Sequence, residues 1–316
     1  MSSKDISIIV PCYNEENNVE LFYNKTIEIF KNNLSNIEII FVNDGSNDDT
    51  LENLKNIYKK TKCCIKIINF SRNFGKEAAV LAGLERSFGK YTVIIDADLQ
   101  QNPKYIIEMK NELDSHKEYD VVCCVQQKRK ESKIVCFLKG SFYKIMNKMM
   151  EVEFVSGASD FRMMRRDVVQ AIISLPENCR FSKGIFSWVG FNTYYMPYEV
   201  ENRASGKSKW SIKKLFQYAF NGIVSFSNSP LLLSLKIGLF NILISIIMFI
   251  IIFIMLMIGN INNFIDIFII DLIIFFSGIT LVSNGIIGKY LANNYAESKN
   301  RPKYIIKEYI NNEGKN

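Results

Sequence analysis

Histidine is almost missing from this chain of 316 residues: His116 is the only one. It stands in a charged stretch, DSHKEYD, and reads as a solvated surface residue. An imidazole general base is therefore not expected. None of the seven cysteines is spaced C-x-x-C, which with one histidine argues against a zinc site. An odd number of thiols reads as free and mostly buried. With 16 Gly and 6 Pro the chain is neither collagen-like nor Pro-rich. The N-terminal MSSKDISIIVPC has only a short apolar run before Pro11, so no signal peptide is expected. No G-x-G-x-x-G follows that run, which removes most of the case for a dinucleotide-dependent dehydrogenase.

Acidic residues are missing from one long region, between Arg203 and Ile265. It contains an uncharged run from Ile237 to Ile258, IGLFNILISIIMFIIIFIMLMI. As a helix that run is about 33 Å long, enough for the hydrocarbon core of a bilayer. A second apolar stretch runs from Ile267 to Gly288, with Asp271 near its start. Arg203, Lys207, Lys209, Lys213, Lys214 and Lys236 precede the first run. Lys289, Lys299, Arg301, Lys303 and Lys307 follow the second, and the loop between the runs has no Lys or Arg. The positive-inside rule then puts both termini and the front domain in the cytoplasm. Lys plus Arg exceed Asp plus Glu by 39 to 32, a net charge of +7, and the six cations before the first run nearly account for it. A basic face beside a membrane suits anionic headgroups and not nucleic acid.

The front of the chain alternates short apolar runs with longer segments of helical spacing. The runs are Ile6–Val10, Ile37–Val42, Ile65–Phe70, Tyr91–Ile95 and Tyr119–Cys124. The segments between are Asn17–Asn32, Asp49–Lys60, Lys76–Phe88 and Pro103–Ser115. This order predicts an α/β fold with a mainly parallel sheet covered on both faces. Ligands of such sheets bind beyond the carboxyl ends of the strands. After the second run, Asn47 or Asp48 suits a helix N-cap, while Asp44 sits at the strand end and can accept bonds from a base or sugar. After the fourth, Asp96 and Asp98 form a D-x-D. Carboxylate pairs of this kind bind hard divalent cations together with substrate phosphates.

The blocks VPCYNEE, FVNDGSNDDT, FSRNFGKEAAVLAGL, IIDADLQ, SGASDFRMM, RASGKSKW and IIGKYLANNYAESKNRPKY occur in that order. Together they resemble the family-2 glycosyltransferases, in particular the membrane-anchored polyprenyl-phosphate glycosyltransferases. The resemblance covers about Ile6 to Tyr304. The string from Phe74 to Ala78 is closer to the bactoprenol-glucosyl branch than to the mannose-synthase branch. Gln101 and Asn102 stand where the family has an acid and a proline, Ser159 where it commonly has Gly, and Trp210 where it more often has Tyr. No Q-x-x-R-W string is present, which argues against a processive polysaccharide synthase.

The resemblance implies a GT-A type nucleotide-binding domain over 1–210, an interfacial amphipathic segment over 211–230, a two-helix transmembrane hairpin over 231–288 and a cytoplasmic tail over 289–316. It implies donor contacts from Pro11, Tyr13, Glu15, Asp44, Lys76, Asp96, Arg203 and Lys209. It implies Asp98 as ligand of Mg²⁺ or Mn²⁺, and Asp160 as an acid beside the reacting sugar, in a base or positioning role. The residues themselves leave open a structural salt bridge from Asp160 to Arg162 or Arg165. KGSFYKIMNKMM, from Lys139 to Met150, fits either an ordinary amphipathic helix or one at the membrane surface. The implied reaction is inverting transfer of a sugar, glucose from UDP-glucose being expected, to undecaprenyl phosphate at the cytoplasmic membrane face. An ionised phosphate nucleophile needs no strong base. The alternatives are another donor sugar, or a catalytically inactive membrane-anchored scaffold. Two spans alone cannot enclose a transport path, and assembly into a homo-oligomer is left open.

Overall fold

The computed structural model describes residues 4–61, 63–126, 155, 157–178, 180–201 and 264–312, with scattered helical positions between 236 and 254. One sheet organises the front of the chain. Its strands are β1 (Ile6–Cys12), β2 (Ile37–Asn43), β3 (Cys64–Phe70), β4 (Tyr91–Ile94), β5 (Val121–Gln126), β6 (Ala158–Arg165), β7 (Thr193–Tyr198) and β8 (Ile306–Asn311). They lie in the order β7-β5-β6-β4-β1-β2-β3-β8. The block β4-β1-β2-β3 is parallel, with Ile6 opposite Ile37 and Tyr91. All seven residues of β2, IEIIFVN, are buried, as expected of a strand covered on both faces.

Helices α1 (Val19–Phe30), α2 (Thr50–Lys60) and α4 (Tyr105–Ser115) cover one face of the sheet. Helices α3 (Lys76–Glu85), α5 (Arg166–Ser174) and α6 (Ser182–Trp188) cover the other. α3 carries AAVLAG against the sheet because it comes very close: a Cβ on Gly83 would sit 2.4 Å from Ile9 Cγ2. The chain crosses from one face to the other between β1 and β4, so the crevice at their carboxyl ends is the topological switch point. At the opposite end Lys66 and Glu38, both fully buried, pair at 2.6 Å. Glu38 also accepts from Ser7 Oγ and Phe88 N, and Lys66 donates to Arg86 O.

Some expectations shift. β6 enters antiparallel between β4 and β5, although it reads as no apolar run. The cap expected at Asn47 or Asp48 moves to Asp49, since α2 starts at Thr50 and Asp48 instead accepts from the Thr50 N–H. α3 ends at Glu85 because Arg86 to Gly89 turn to meet Glu38 and Ser7.

Among the described residues no helix is long and apolar enough to cross a membrane. Most of the first apolar run lies outside them, as do Lys139–Met150, Arg203, Lys209 and 211–230. The final helix, α7 (Phe264–Ser298), is 35 residues long and reaches well past Gly288. It exposes Ile273, Phe275, Leu281, Val282 and Leu291. Its end is tied to the front domain, where the Glu297 carboxylate accepts from Asn178 N at 2.9 Å. Beyond it β8 pairs antiparallel with β3. Tyr304 stacks on Phe70, ring centres 4.9 Å apart, and Lys55 pairs with Glu308 at 2.9 Å.

Candidate active site

The loops at the switch point are bound to one another by short polar side chains. Asn14 takes a left-handed conformation (φ 52°) just after β1. Its N–H donates to Ser46 Oγ, and its Oδ1 accepts from Asn47 N. Ser46 donates to Asn43, which donates to Asn69. The carboxyl ends of β1, β2 and β3 thus form one hydrogen-bonded frame. Pro11 and Tyr13 line its β1 side half-buried. Glu15 accepts from Asn18 Nδ2 at 2.6 Å and so sits at the start of α1.

Asp44 is only 3% exposed. Its two carboxylate oxygens accept from Phe74 N at 2.6 Å and Gly75 N at 2.9 Å. Burial pushes this carboxyl above its ordinary value, and the two N–H bonds offset part of that. The neighbouring Gly45 has φ +63° and its missing Cβ would fall 2.3 Å from the Arg72 carbonyl carbon. Only glycine lets the β2–α2 turn lie this close to the β3–α3 loop. Asp44 therefore shapes the loop that delivers Lys76.

Lys76 opens α3 and reaches two carboxylates from distant parts of the chain. Its Nζ is 2.7 Å from Asp96 Oδ1 and 3.1 Å from Asp160 Oδ2. Burial alone would lower the Lys76 pKa, but Asp96 and Asp160 outweigh it and raise it. Burial would raise Asp160, but Lys76, Lys183 and Arg162 hold its carboxyl down at about 2. Asp160 therefore makes its ion pair with Lys76, and not with Arg162 or Arg165 as one reading of the sequence allowed. Those two arginines turn to backbone carbonyls, Arg162 to Ser159 and Arg165 to Tyr119 and Leu113. Beside the cluster, Glu77 accepts from Ser182 N at 2.9 Å and from its hydroxyl. Burial raises the Glu77 carboxyl, with Ser182 opposing.

Asp98 follows β4 in a tight turn. Its Oδ1 accepts from Gln100 N at 3.1 Å, and Leu99 has φ 59°. Gln101, nearly buried, accepts from Asp96 N through Oε1 at 3.1 Å. Asn102 donates to Glu201 Oε1. The two residues that depart from the resembled pattern thus build the turn that holds Asp96 and Asp98. Among the described residues no group of three or more His, Cys, Asp or Glu side chains gathers into a metal cage. Two half-buried carboxylates remain, a donor set that suits Mg²⁺ or Mn²⁺ completed by substrate phosphates and water.

The crevice thus brings together Pro11, Tyr13, Glu15, Asp44, Lys76, Asp96, Asp98 and Asp160, whereas Arg203 and Lys209 lie outside the described residues. Sequence reasoning missed Glu77 and Lys183, and it considered Arg162 only as a salt-bridge partner of Asp160. No local signal marks their grouping: Glu77 meets Ser182, 105 residues away, and Arg162 meets the Phe186 ring of another element.

Residues 7–173 match the model of glycosyl transferase family 2. CsbB of Bacillus subtilis, named as a glycosyltransferase, is 42% identical over 304 residues, covering 96% of this chain and 91% of that protein. The bactoprenol glucosyl transferase of Shigella phage SfV is 36% identical over 305 residues, covering 96% and 98%. Among solved structures, glucosyl-3-phosphoglycerate synthase from Mycobacterium tuberculosis, in complex with Mn²⁺, UDP and phosphoglyceric acid, superposes with a TM-score of 0.50. It is 17% identical and covers 70% of this chain and 76% of that one, a likeness that shows the GT-A-like fold.

Proposed function

The chain belongs to glycosyl transferase family 2, and from that premise we propose that it moves a sugar from a nucleotide donor to a polyprenyl phosphate. The donor is UDP-glucose and the acceptor undecaprenyl phosphate at the cytoplasmic face of a membrane. The bactoprenol glucosyl transferase named above supports the acceptor class. The observation that carries the reading is the Lys76–Asp96–Asp160 cluster at the switch point, beside the D-x-D turn.

A phosphate oxygen of the acceptor attacks the anomeric carbon of the sugar. The bond from that carbon to the nucleoside diphosphate oxygen breaks, its electron pair leaves with the diphosphate, and the configuration inverts. The acceptor's second pKa is about 6, so it is mostly ionised at neutral pH and needs no proton removed. Asp160, held ionised by its cationic neighbours, suits orienting the sugar and balancing charge and not taking a proton. Lys76 keeps Asp96 and Asp160 from repelling each other and presents a cation to the leaving diphosphate. Asp98, with Asp96, would hold a divalent cation, which when bound would neutralise charge on the diphosphate. Pro11, Tyr13 and Glu15 would form the wall for the nucleoside, with Asp44 fixing the β3–α3 loop behind it, and Arg203 and Lys209 would meet the phosphates from the basic loop.

Membrane attachment through 231–288 has a topological argument. β8 lies in the same sheet as β3, so residues 306–311 and the front domain are on one side of any membrane. The chain between them must then cross an even number of times, as a two-helix hairpin does. The test is a donor screen with full-length protein and undecaprenyl phosphate, read by mass spectrometry of the lipid. Addition of a hexose from UDP-glucose supports the reading. A lipid unchanged with every nucleotide sugar contradicts it.

A further inference from the structure

A cavity of about 270 Å³ opens between β5, β6, β7 and α6, on the face of the sheet that carries α3. Arg162, Lys183, Cys123 and Phe186 form its wall, with Val155 and Tyr195, both exposed, at its rim. Arg162 is 7% exposed, and its guanidinium carbon sits over the Phe186 ring, 3.8 Å from the ring centre. Its Nη2 donates to Ser159 O, and its buried Nε has no hydrogen-bond partner. Among the described residues no carboxylate lies within ion-pair distance of Arg162 or Lys183. A nearly buried guanidinium with donors unfilled is costly unless something completes it. Arg162 stands two residues along β6 from Asp160, so the two side chains share a face.

We propose that this cavity is an anion site for a phosphate monoester carried on an apolar chain, the head of the lipid acceptor. The site rests on the function proposed above and specifies where its acceptor docks. An Arg fork can grip two phosphate oxygens while Lys183 adds a point charge. Two cations balance a group carrying roughly −1.5 to −2 charges. The exposed ring of Tyr195 and the Val155 side chain offer the first isoprene units an apolar edge. Asp160, two residues along the same strand, then stands beside the attacking phosphate, with Lys76 at 3.1 Å offsetting part of its charge.

The test is steady-state kinetics of the full chain in detergent, with UDP-glucose and undecaprenyl phosphate varied separately. Lys183→Ala and Arg162→Lys are expected to raise KM for the lipid by roughly tenfold or more, the worth of a charge-assisted bond, with donor KM within about twofold of wild type. Inorganic phosphate should compete with the lipid in the wild type and lose potency in Lys183→Ala. Tyr195→Ser should weaken the long-chain lipid more than a short isoprenyl phosphate. Lys183 is only half-buried, so its removal keeps the test readable if Arg162→Lys fails to fold. Unchanged lipid KM in an active Lys183→Ala variant overturns the site while leaving the proposed function standing. So does inhibition by inorganic phosphate that the lipid cannot relieve, the mark of a free-phosphate site. A wild-type chain that glycosylates no lipid phosphate takes down both.

Discussion

Replacing Lys76 with Met removes the one cation that touches both Asp96 and Asp160. The two contacts, 2.7 and 3.1 Å, bound the separation of the carboxylate oxygens. At about 6 Å and an effective dielectric constant of about 20, two such charges repel by roughly 3 kcal/mol. Both carboxylates are about a third exposed, so solvent screening reduces this to roughly 1–2 kcal/mol. The diphosphate would lose a cation as well. Together these should lower turnover by roughly a hundredfold, about 2.7 kcal/mol of barrier. Met matches the length of the Lys stem, so the helix start should hold. The sign for pH follows from the same contacts. Asp160 is now depressed to about 2, so the stability it contributes is present above the usual carboxylate range and is lost only as pH falls through about 2. Without Lys76 that loss should move to higher pH. Turnover and acid unfolding of wild type, Lys76→Met and Lys76→Arg would be measured side by side, with Lys76→Arg closer to wild type. Turnover of Lys76→Met within about twofold of wild type, with an unmoved acid transition, would refute the bridging role.

Other outcomes follow from the same geometry. Lys66→Met strands the fully buried Glu38 carboxylate, and urea unfolding should register a loss of about 3–5 kcal/mol; an unchanged midpoint would count against the pair as a keystone of the sheet. Asp98→Ala should abolish transfer with circular dichroism unchanged, and EDTA should silence the wild type; near-normal turnover in both would remove Asp98 from the site. Activity should fall as pH drops through about 6, where the acceptor phosphate gains its second proton. His116→Ala should leave that profile in place, since His116 sits at the end of α4, paired with Glu112; a large fall in turnover would show that an imidazole takes part.

The parallel block was legible because its strands are continuous apolar runs, and IEIIFVN reads as a strand buried on both faces wherever it occurs. β6 was not, because ASDFRMMR breaks the run with two charges, Asp160, which pairs with the remote Lys76, and Arg162, which lies over the Phe186 ring. β8 was hidden for a related reason. IKEYIN alternates at the sheet edge, half exposed, and resembles any polar tail until it meets β3. In the site, Asp96 and Asp98 declared themselves by spacing after an apolar strand. Asp44 stood out by its place at a strand end, but its bonds were not legible, because these run to the backbone of a loop 30 residues on. The contact of Lys76 with Asp160 spans 84 positions and leaves no local periodicity to read.

The most direct test of sugar transfer to a lipid phosphate uses undecaprenyl phosphate labelled with ¹⁸O in its phosphate oxygens, incubated with UDP-glucose and the full chain. Attack by that phosphate on the anomeric carbon should yield a lipid heavier by one hexose that retains all its label, together with unlabelled UDP. A lipid heavier by a hexose phosphate, with UMP released, would mean that phosphorus and not carbon is attacked, and would contradict the account.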